Sequence, residues 1–195
     1  SEKYSFYIIY DAVYRELYFN DPPYIPAGQL SPRLFYVNSF SKLLSITGWR
    51  IGYIISHPSH MQAIRAIHDY TGLCVPSVLQ VALSNFLSEN DYGKEYVSGL
   101  RSGLKISFAT LSETLLKLGF HIPEISGGYF IWAQMPESCK NSFAFSVDLY
   151  EQQKVAVIPG IHFSPNADRW IRFNVAREEH ELKMGCEGIE KFLKD

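Results

Sequence analysis

Apolar residues in the first third of the chain fall in short, nearly continuous runs. These runs are FYIIY at 6–10, LFYV at 34–37 and IGYII at 51–55. Because none of them alternates cleanly with polar residues, each is typical of a strand that is buried on both faces, as in a mostly parallel sheet. The pattern therefore predicts three strands of such a sheet.

Between residues 58 and 118 the apolar positions recur every three or four residues, which places them on one face of a helix. This spacing predicts a helix at 58–68, a second that begins at Pro76 and a longer one that begins near Asp91. The longest helix carries an apolar stripe formed by Leu100, Leu104, Phe108, Leu111 and Leu115. Packing against a core explains this stripe without any cofactor.

Strand and helix patterns mix again after Gly119. Strands are predicted at 127–135, 155–159 and 170–176, and helices at 142–153 and from Glu178 to the C-terminus. The fold class is therefore α/β, with part of a mostly parallel sheet, a long connecting helix and a small C-terminal α+β domain. We place these three regions at 1–90, 91–118 and 119–195.

Composition and charge narrow the classes of partner. The chain has 195 residues, of which 47% are hydrophobic and 19% charged, as in globular proteins. A net charge of −2 gives no basic surface for nucleic acid or anionic lipid. No apolar run approaches the roughly 20 residues of a membrane span. We therefore predict neither a nucleic-acid partner nor a membrane partner.

The cysteines indicate the cellular compartment of the protein, and the first residues indicate whether a segment precedes this chain. The chain has three cysteines, Cys74, Cys139 and Cys186. Because their number is odd, we predict free thiols in a reducing cytoplasm, and because their spacing is not that of metal ligands, we predict no metal site. The chain opens almost directly on the run at 6–10, without a signal peptide. This opening indicates that a preceding segment of the protein is absent.

Candidate chemistry begins with Asp11, which closes the first apolar run, and Tyr14, which follows it. An acidic residue at the carboxyl end of a buried strand lies where open α/β sheets bind ligands. The alternative is that Asp11 caps the following turn, as aspartate often does.

A second group of polar residues lies in NSFSKLLSITGWRIGY, at 38–53. This segment could bind a phosphate through Ser39, Ser41 and Arg50. Hydroxyl groups donate to phosphate oxygens, and a guanidinium can donate to two of these oxygens at once. Lys42 is the only lysine in this stretch; it is either a snorkelling surface residue or a group whose chemistry needs a lowered pKa. The alternative for the whole segment is a polar turn with solvated charges.

Five segments together resemble the ordered landmarks of class I/II aminotransferases, which are fold-type I enzymes dependent on pyridoxal 5′-phosphate (PLP). The segments are YDAVY, NSFSKLLSITGWRIGY, SGGYFIW, VAVIPG and IRFNVA. They cover the chain from Asp11 to Arg172 in the order and approximate spacing of that family. The resemblance implies that region 1–90 is part of the large PLP-binding domain.

The resemblance implies a role for each candidate. Lys42 resembles the lysine that forms the Schiff base with PLP, and the same amine would move a proton during catalysis. Asp11 resembles the carboxylate that pairs with the pyridine nitrogen, and Tyr14 the donor to the phenolic oxygen. The phosphate positions correspond to Ser39, Ser41 and Arg50.

Arg172, in WIRFN, resembles the arginine that binds the substrate α-carboxylate as a bidentate partner. The alternative from the pattern alone is a charged residue on the polar side of an apolar strand, since Trp170, Arg172 and Asn174 share one face. Together with the other landmarks, the substrate role is favoured.

The resemblance also implies what the chain lacks. Members of the family are about twice this length and form homodimers, so we expect a C-terminal half that does not transaminate alone. The expected substrates are an amino acid and a 2-oxo acid. The exposed edges and apolar patches of such a half would favour self-association.

Other functions share the same half-site. PLP-dependent C–S lyases, decarboxylases and cyclising synthases use the same cofactor, and the pocket selects the bond that breaks. The effector domain of some transcription regulators also copies this fold, and such a protein would carry a DNA-binding domain upstream. A structural remnant that binds nothing is the third alternative; the retained Asp11, Lys42, Arg50 and Arg172 argue against it.

Overall fold

The computed structural model describes residues 3–25 and 31–194 of the chain. The chain forms two compact units, unit 1 from Ser1–Leu100 and unit 2 from Arg101–Asp195. The division into 1–90, 91–118 and 119–195 stays a prediction. Every helix in the described residues is too short or too polar to span a bilayer.

Unit 1 contains a sheet of three described strands in the order β1-β2-β3. The strands are β1 (Ile8–Asp11), β2 (Leu34–Ser39) and β3 (Gly52–Ser56). β1 and β2 are parallel, whereas β2 and β3 are antiparallel. The expectation of a mostly parallel sheet is therefore met by the first pairing and not by the second. The connection between β2 and β3, residues 40–51, is at the lower limit of length for a parallel crossover, and an antiparallel return is possible with any shorter or equal length.

The prediction that all three strands are buried on both faces is wrong for β1 and β3. Ile9 on β1 is 74% exposed and Ile55 on β3 is 44% exposed, while β2 alternates between buried and half-buried residues. The side chains of β2 are better covered because side chains of a strand on each side flank them. Among the described residues, β1 and β3 each pair with β2 alone.

The helices predicted for the middle of the chain are present. They follow the short helix α1 (Phe40–Leu43), and they are α2 (Pro58–Thr71), α3 (Ser77–Glu89) and α4 (Lys94–Lys117). A small core in unit 1 joins the loop after α1 to α3 and the first turn of α4, through Leu44, Ile51, Leu83 and Val97. In contrast, α2 buries none of its residues.

Unit 2 combines the rest of α4 with an antiparallel sheet of three described strands, in the order β4-β6-β5. The remaining elements are β4 (Phe130–Gln134), α5 (Ser142–Gln153), β5 (Ile158–Pro159), β6 (Trp170–Asn174) and α6 (Glu179–Lys194). α5 has the predicted bounds because the side chain of Asn141 accepts a hydrogen bond from the Ala144 amide, and Lys154 ends the helix in a left-handed conformation.

The two faces of the unit 2 sheet differ in chemistry. Ile131, Ala133, Ile171 and Phe173 face the core and are almost fully buried. The opposite face carries half-buried residues, among them Phe130, Trp132, Trp170 and Arg172. Because side chains alternate along a strand, the core-facing residues fix which residues lie on the outer face.

Candidate functional site

Asp11 is the last residue of β1, where it lies opposite Val37 of the parallel strand β2. Its carboxylate is exposed, and one oxygen accepts a hydrogen bond from the Val13 amide at 3.2 Å. The turn cap that the sequence left open is therefore present. A carboxylate has further acceptor sites, so this bond leaves capacity for a ligand at the end of the strand.

Lys42 and Tyr14 come together although they are distant in the sequence. The Lys42 ammonium lies over the Tyr14 ring, 6.0 Å from its centroid, which is the outer limit of a cation–π contact. Lys42 belongs to α1 directly after β2, and Tyr14 follows the end of β1. The parallel pairing of the two strands explains the contact, because it brings both carboxyl ends to one edge of the sheet.

Ser39 forms the cap of α1. Its hydroxyl accepts a hydrogen bond from the Ser41 amide at 3.1 Å and donates one to the Ile51 carbonyl at 3.0 Å. Ser41 itself is buried. A hydroxyl has a single proton, so Ser39 could donate to a phosphate only by releasing the Ile51 carbonyl.

Arg50 is exposed and adopts a left-handed backbone conformation, with φ 56° and ψ 39°. Its guanidinium donates to the Thr47 carbonyl at 3.1 Å. The next residue, Ile51, accepts hydrogen bonds from both the Ser39 hydroxyl and the Phe40 amide. The residue that follows Arg50 is thus hydrogen-bonded, through its carbonyl, to the residues that cap and begin α1.

A buried polar pair supports the turn between β2 and α1. The Asn38 side chain donates to the Tyr36 hydroxyl at 3.1 Å and accepts from the Ser39 amide at 2.7 Å. Burial raises the pKa of the nearby Tyr53, and its proximity to Tyr36 raises it further. Both effects keep the Tyr53 phenol protonated beside this pair.

Gly52 is a residue of this region that the sequence analysis did not single out. A Cβ atom on Gly52 would lie 2.9 Å from the Asn38 carbonyl oxygen, so β3 approaches β2 more closely than a larger residue permits. The glycine between Ile51 and Tyr53 was the available signal, because an isolated glycine in a strand pattern often marks close backbone approach.

Arg172 belongs to unit 2, whereas the six other candidates belong to unit 1. It lies in the middle of β6, between Trp132 of β4 and Ile158 of β5. Its guanidinium lies over two aromatic rings, 4.3 Å from the Phe130 centroid and 4.9 Å from the Phe163 centroid. Its Nε is buried without a hydrogen-bond partner among residues 3–25 and 31–194. The side chain is therefore half-buried against aromatic rings and is not a solvated surface charge.

Phe130 and Phe163 were not predicted as site residues. Each stands inside or close to a segment that carries the resemblance: Phe130 is in SGGYFIW, and Phe163 is the third residue after VAVIPG. An aromatic residue in an apolar run is most often a core residue. The sequence pattern alone therefore gave no reason to place either ring against Arg172.

The chain spans about half the length of the curated relatives that it matches. It is 29% identical to the aspartate aminotransferase of Thermotoga maritima, an alignment that covers 99% of this chain and 49% of that protein. It is 30% identical to the LL-diaminopimelate aminotransferase of Natranaerobius thermophilus, over 94% of this chain and 47% of that protein.

Solved structures agree with these relatives. The crystal structure of the Thermotoga maritima aspartate aminotransferase superposes with a TM-score of 0.87 at 29% identity, and the match covers all of this chain and 49% of that one. An aromatic aminotransferase from Pyrococcus horikoshii gives a TM-score of 0.90 at 22% identity, over 99% of this chain and 52% of that one, which shows the shared fold.

A family model matches nearly the whole chain, from residue 1 to residue 189, and its description is aminotransferase class I and II. The resemblance seen in the ordered motifs is thereby confirmed. The chain belongs to the class I and II aminotransferase family.

Proposed function

We propose that the complete protein is a PLP-dependent aminotransferase that exchanges an amino group between an amino acid and a 2-oxo acid. Family membership and the relatives named as aminotransferases support this function. The observation that carries the proposal is the contact between the Lys42 amine and the Tyr14 ring, at the edge of the sheet where β1 ends in Asp11. An amine, a phenol and a carboxylate thus belong to one edge of unit 1.

The donor set of unit 1 fits pyridoxal phosphate. The cofactor offers an aldehyde to an amine, a pyridine nitrogen to a carboxylate, a phenolic oxygen to a donor and a phosphate to hydroxyl and guanidinium groups. These needs match Lys42, Asp11 and Tyr14, with Ser39, Ser41 and Arg50 for the phosphate. When bound, PLP supplies an electron sink for the negative charge that forms at the substrate Cα.

Lys42 has two tasks in this proposal. Its amine, once neutral, would form the covalent bond that anchors the cofactor. When it is not bound to the cofactor, Nζ would be the base that accepts the proton from the substrate Cα and holds it for return. The contact with the Tyr14 ring restricts where the lysine side chain can lie, which keeps Nζ near the edge of the sheet.

Asp11 and Tyr14 would orient the ring of the cofactor. The Asp11 carboxylate would hold a proton on the pyridine nitrogen, because an opposite charge beside that nitrogen favours its protonated form. The Tyr14 hydroxyl would donate to the phenolic oxygen. The cap formed by Ser39 would exchange its bond to the Ile51 carbonyl for a bond to the phosphate, with Arg50 as the opposite charge.

Arg172 would bind the α-carboxylate of the substrate. Two parallel N–H bonds from a guanidinium fix a carboxylate in position and in orientation, and such orientation supplies a large part of the rate of an enzyme. In the described residues no carboxylate pairs with Arg172, which supports a role toward an external anion.

We further propose that the complete protein is a cytoplasmic homodimer and that the 195-residue chain alone is inactive. The three unpaired cysteines are typical of a reducing compartment. Exposed apolar residues on both outer strands of the unit 1 sheet support association with a second chain or with another segment of the complete protein.

The cofactor assignment is tested by adding PLP to the complete protein, reducing with borohydride and mapping the labelled peptide by mass spectrometry. We expect the label on Lys42 and its loss in Lys42→Ala, while Lys105→Ala, a control on the exposed side of α4, keeps it. A label on another lysine of the wild-type protein would contradict the assignment.

The reaction class is tested by a screen of amino donors that includes aspartate, LL-diaminopimelate and aromatic amino acids. We expect 2-oxo acid from the donor in equal amount to amino acid from the acceptor. Release of sulfide or CO₂ in place of a 2-oxo acid would favour a lyase or a decarboxylase.

A further inference from the structure

Phe163 lies at the end of a short turn that follows β5. The turn is a single 3₁₀ helix, Gly160–His162, and the Phe163 amide donates to the Gly160 carbonyl at 2.8 Å. The Phe163 side chain is 53% exposed, so its ring is not held there by burial in the core. It nevertheless lies against the Arg172 guanidinium.

Gly160 allows the turn to reach this position. A Cβ atom on Gly160 would lie 2.1 Å from the Ala167 carbonyl oxygen and 2.6 Å from the Trp170 carbonyl oxygen. The backbone of the turn therefore touches the start of β6, the strand that carries Arg172. Only glycine permits this approach, because both obstructing atoms belong to the backbone.

Neighbouring rings fix the orientation of Phe163. Its ring meets Trp132 edge to face, with centroids 5.5 Å apart and an angle of 86° between the planes. Trp132 is stacked in turn on Trp170, with centroids 5.8 Å apart and an angle of 8°. These are favoured geometries for aromatic pairs, so the Phe163 ring has a defined place above the outer face of the sheet.

Arg172 depends on rings for its own position. Among residues 3–25 and 31–194, no hydrogen bond or ion pair holds its guanidinium, whereas two ring faces contact it. An arginine side chain has several rotatable bonds, and an unrestrained one would lose much rotational freedom on binding an anion. Contact with aromatic faces restrains the guanidinium but uses none of its N–H donors.

We propose that Phe163 is a positioning residue, which holds the Arg172 guanidinium in place so that its N–H donors stay available to a carboxylate. The proposal rests on the proposed role of Arg172 as the binding residue for the substrate α-carboxylate. Phe130 contributes the second ring from β4, but Phe163 stands on a turn and is the more exposed of the two. Its removal should therefore disturb the carboxylate site without disturbing the core.

The test compares binding of a carboxylate with binding of its uncharged analogue by the complete protein. The probes are 3-phenylpropionate and 3-phenylpropanamide, which differ only in the group that a guanidinium recognises. We expect Phe163→Leu to weaken binding of the carboxylate by about fivefold, the scale of one partly exposed cation–π contact. Binding of the amide should be unchanged, and Phe163→Tyr, which keeps the ring, should bind the carboxylate within about twofold of the wild type.

Two further variants separate the possible failures. Phe163→Met is a second variant without a ring, and thermal unfolding of both ring-free variants checks that the fold is kept. If both bind the carboxylate as the wild type does while Arg172→Lys does not, the positioning role is wrong and the role of Arg172 stands. If Arg172→Lys also binds the carboxylate normally, the proposed function of Arg172 is itself wrong.

Discussion

At residue 160 the backbone of unit 2 comes so close to its neighbours that only a hydrogen atom fits on the α-carbon. We expect Gly160→Ala to lower the free energy of unfolding by about 1–3 kcal/mol or more. The new methyl group would meet two carbonyl oxygens that cannot move independently of the backbone. Urea unfolding of the 195-residue chain measures the change.

Gly103 offers the matched control, since a Cβ atom there would meet no other atom within 4 Å. It lies inside α4, where alanine is the better helix former, so Gly103→Ala should stabilise the chain by about 0.5–1 kcal/mol. Equal effects of the two substitutions would show that the close approach at Gly160 does not determine its stability contribution.

The three cysteines differ in surroundings, and their reactivity should follow. Burial raises the pKa of the Cys139 thiol and that of the Cys186 thiol, whereas Cys74 is exposed. The thiolate is the form that reacts with iodoacetamide, so a raised pKa leaves less of it at pH 8. We expect Cys74 to be alkylated first, and Cys139 and Cys186 to gain in rate as the pH rises above 8. Mass spectrometry of timed samples measures each rate, and faster alkylation of Cys186 than of Cys74 would contradict this order.

Among the elements, α5 is tied to the turn that carries Phe163 through one buried serine. The Ser142 hydroxyl donates to an Asp168 carboxylate oxygen at 3.0 Å and accepts from the Ile161 amide at 3.3 Å. Ser142 is fully buried, and Ser142→Ala would remove the hydroxyl bond from both half-buried partners, although the Asp168 oxygen keeps the bond from the Ser142 amide. We expect it to lower the free energy of unfolding by about 1–3 kcal/mol, measured by urea unfolding.

Ser146 is the control in the same helix. It is also buried, but its hydroxyl donates only to the Ser142 carbonyl one turn earlier, a carbonyl that a helix already engages. Ser146→Ala should therefore cost less than about 1 kcal/mol. A larger loss for Ser146→Ala than for Ser142→Ala would contradict the role given to the Asp168 pair.

The elements also show what the sequence could predict. Helix α5 was predicted with its observed bounds because its limits are local, set by the cap at Asn141 and the left-handed residue Lys154. The burial of β1 and β3 was predicted wrongly, because an apolar run reports the environment that a strand suits and not the neighbours that it has. The strand predicted at 155–159 is present only as Ile158–Pro159.

The candidate site likewise has features that the sequence predicts and contacts that it does not. Residue types and order were enough to single out Lys42 and Arg172 through the family resemblance. The contact of Lys42 with Tyr14 depends on the pairing of β1 with β2, and the contact of Arg172 with Phe163 on the approach of a turn to β6. Lys42 and Tyr14 are 28 residues apart. Arg172 and Phe163 are only nine apart, but they belong to a strand and to a separate turn, so no local pattern predicts either contact.

For the whole molecule, the apolar outer strands of unit 1 decide how the 195-residue chain behaves in solution. Within the described residues β1 and β3 each have one unpaired edge, and Ile9 and Ile55 on these strands have exposed apolar side chains. Unpaired strand edges with apolar side chains are templates for pairing with another chain. We therefore expect the isolated chain to self-associate in a concentration-dependent way, measured by analytical ultracentrifugation.

A charge placed on the edge separates this cause from general hydrophobicity. Ile9→Lys places a charge on β1, and lysine on an edge strand opposes pairing, so the chain should shift toward the monomer. Ile106 is similarly exposed but lies on α4, where its backbone groups are already bonded within the helix. Ile106→Lys should leave association unchanged. If both substitutions reduce association equally, exposed apolar area and not the strand edge drives it; a wild-type chain that stays monomeric at every concentration would contradict both explanations.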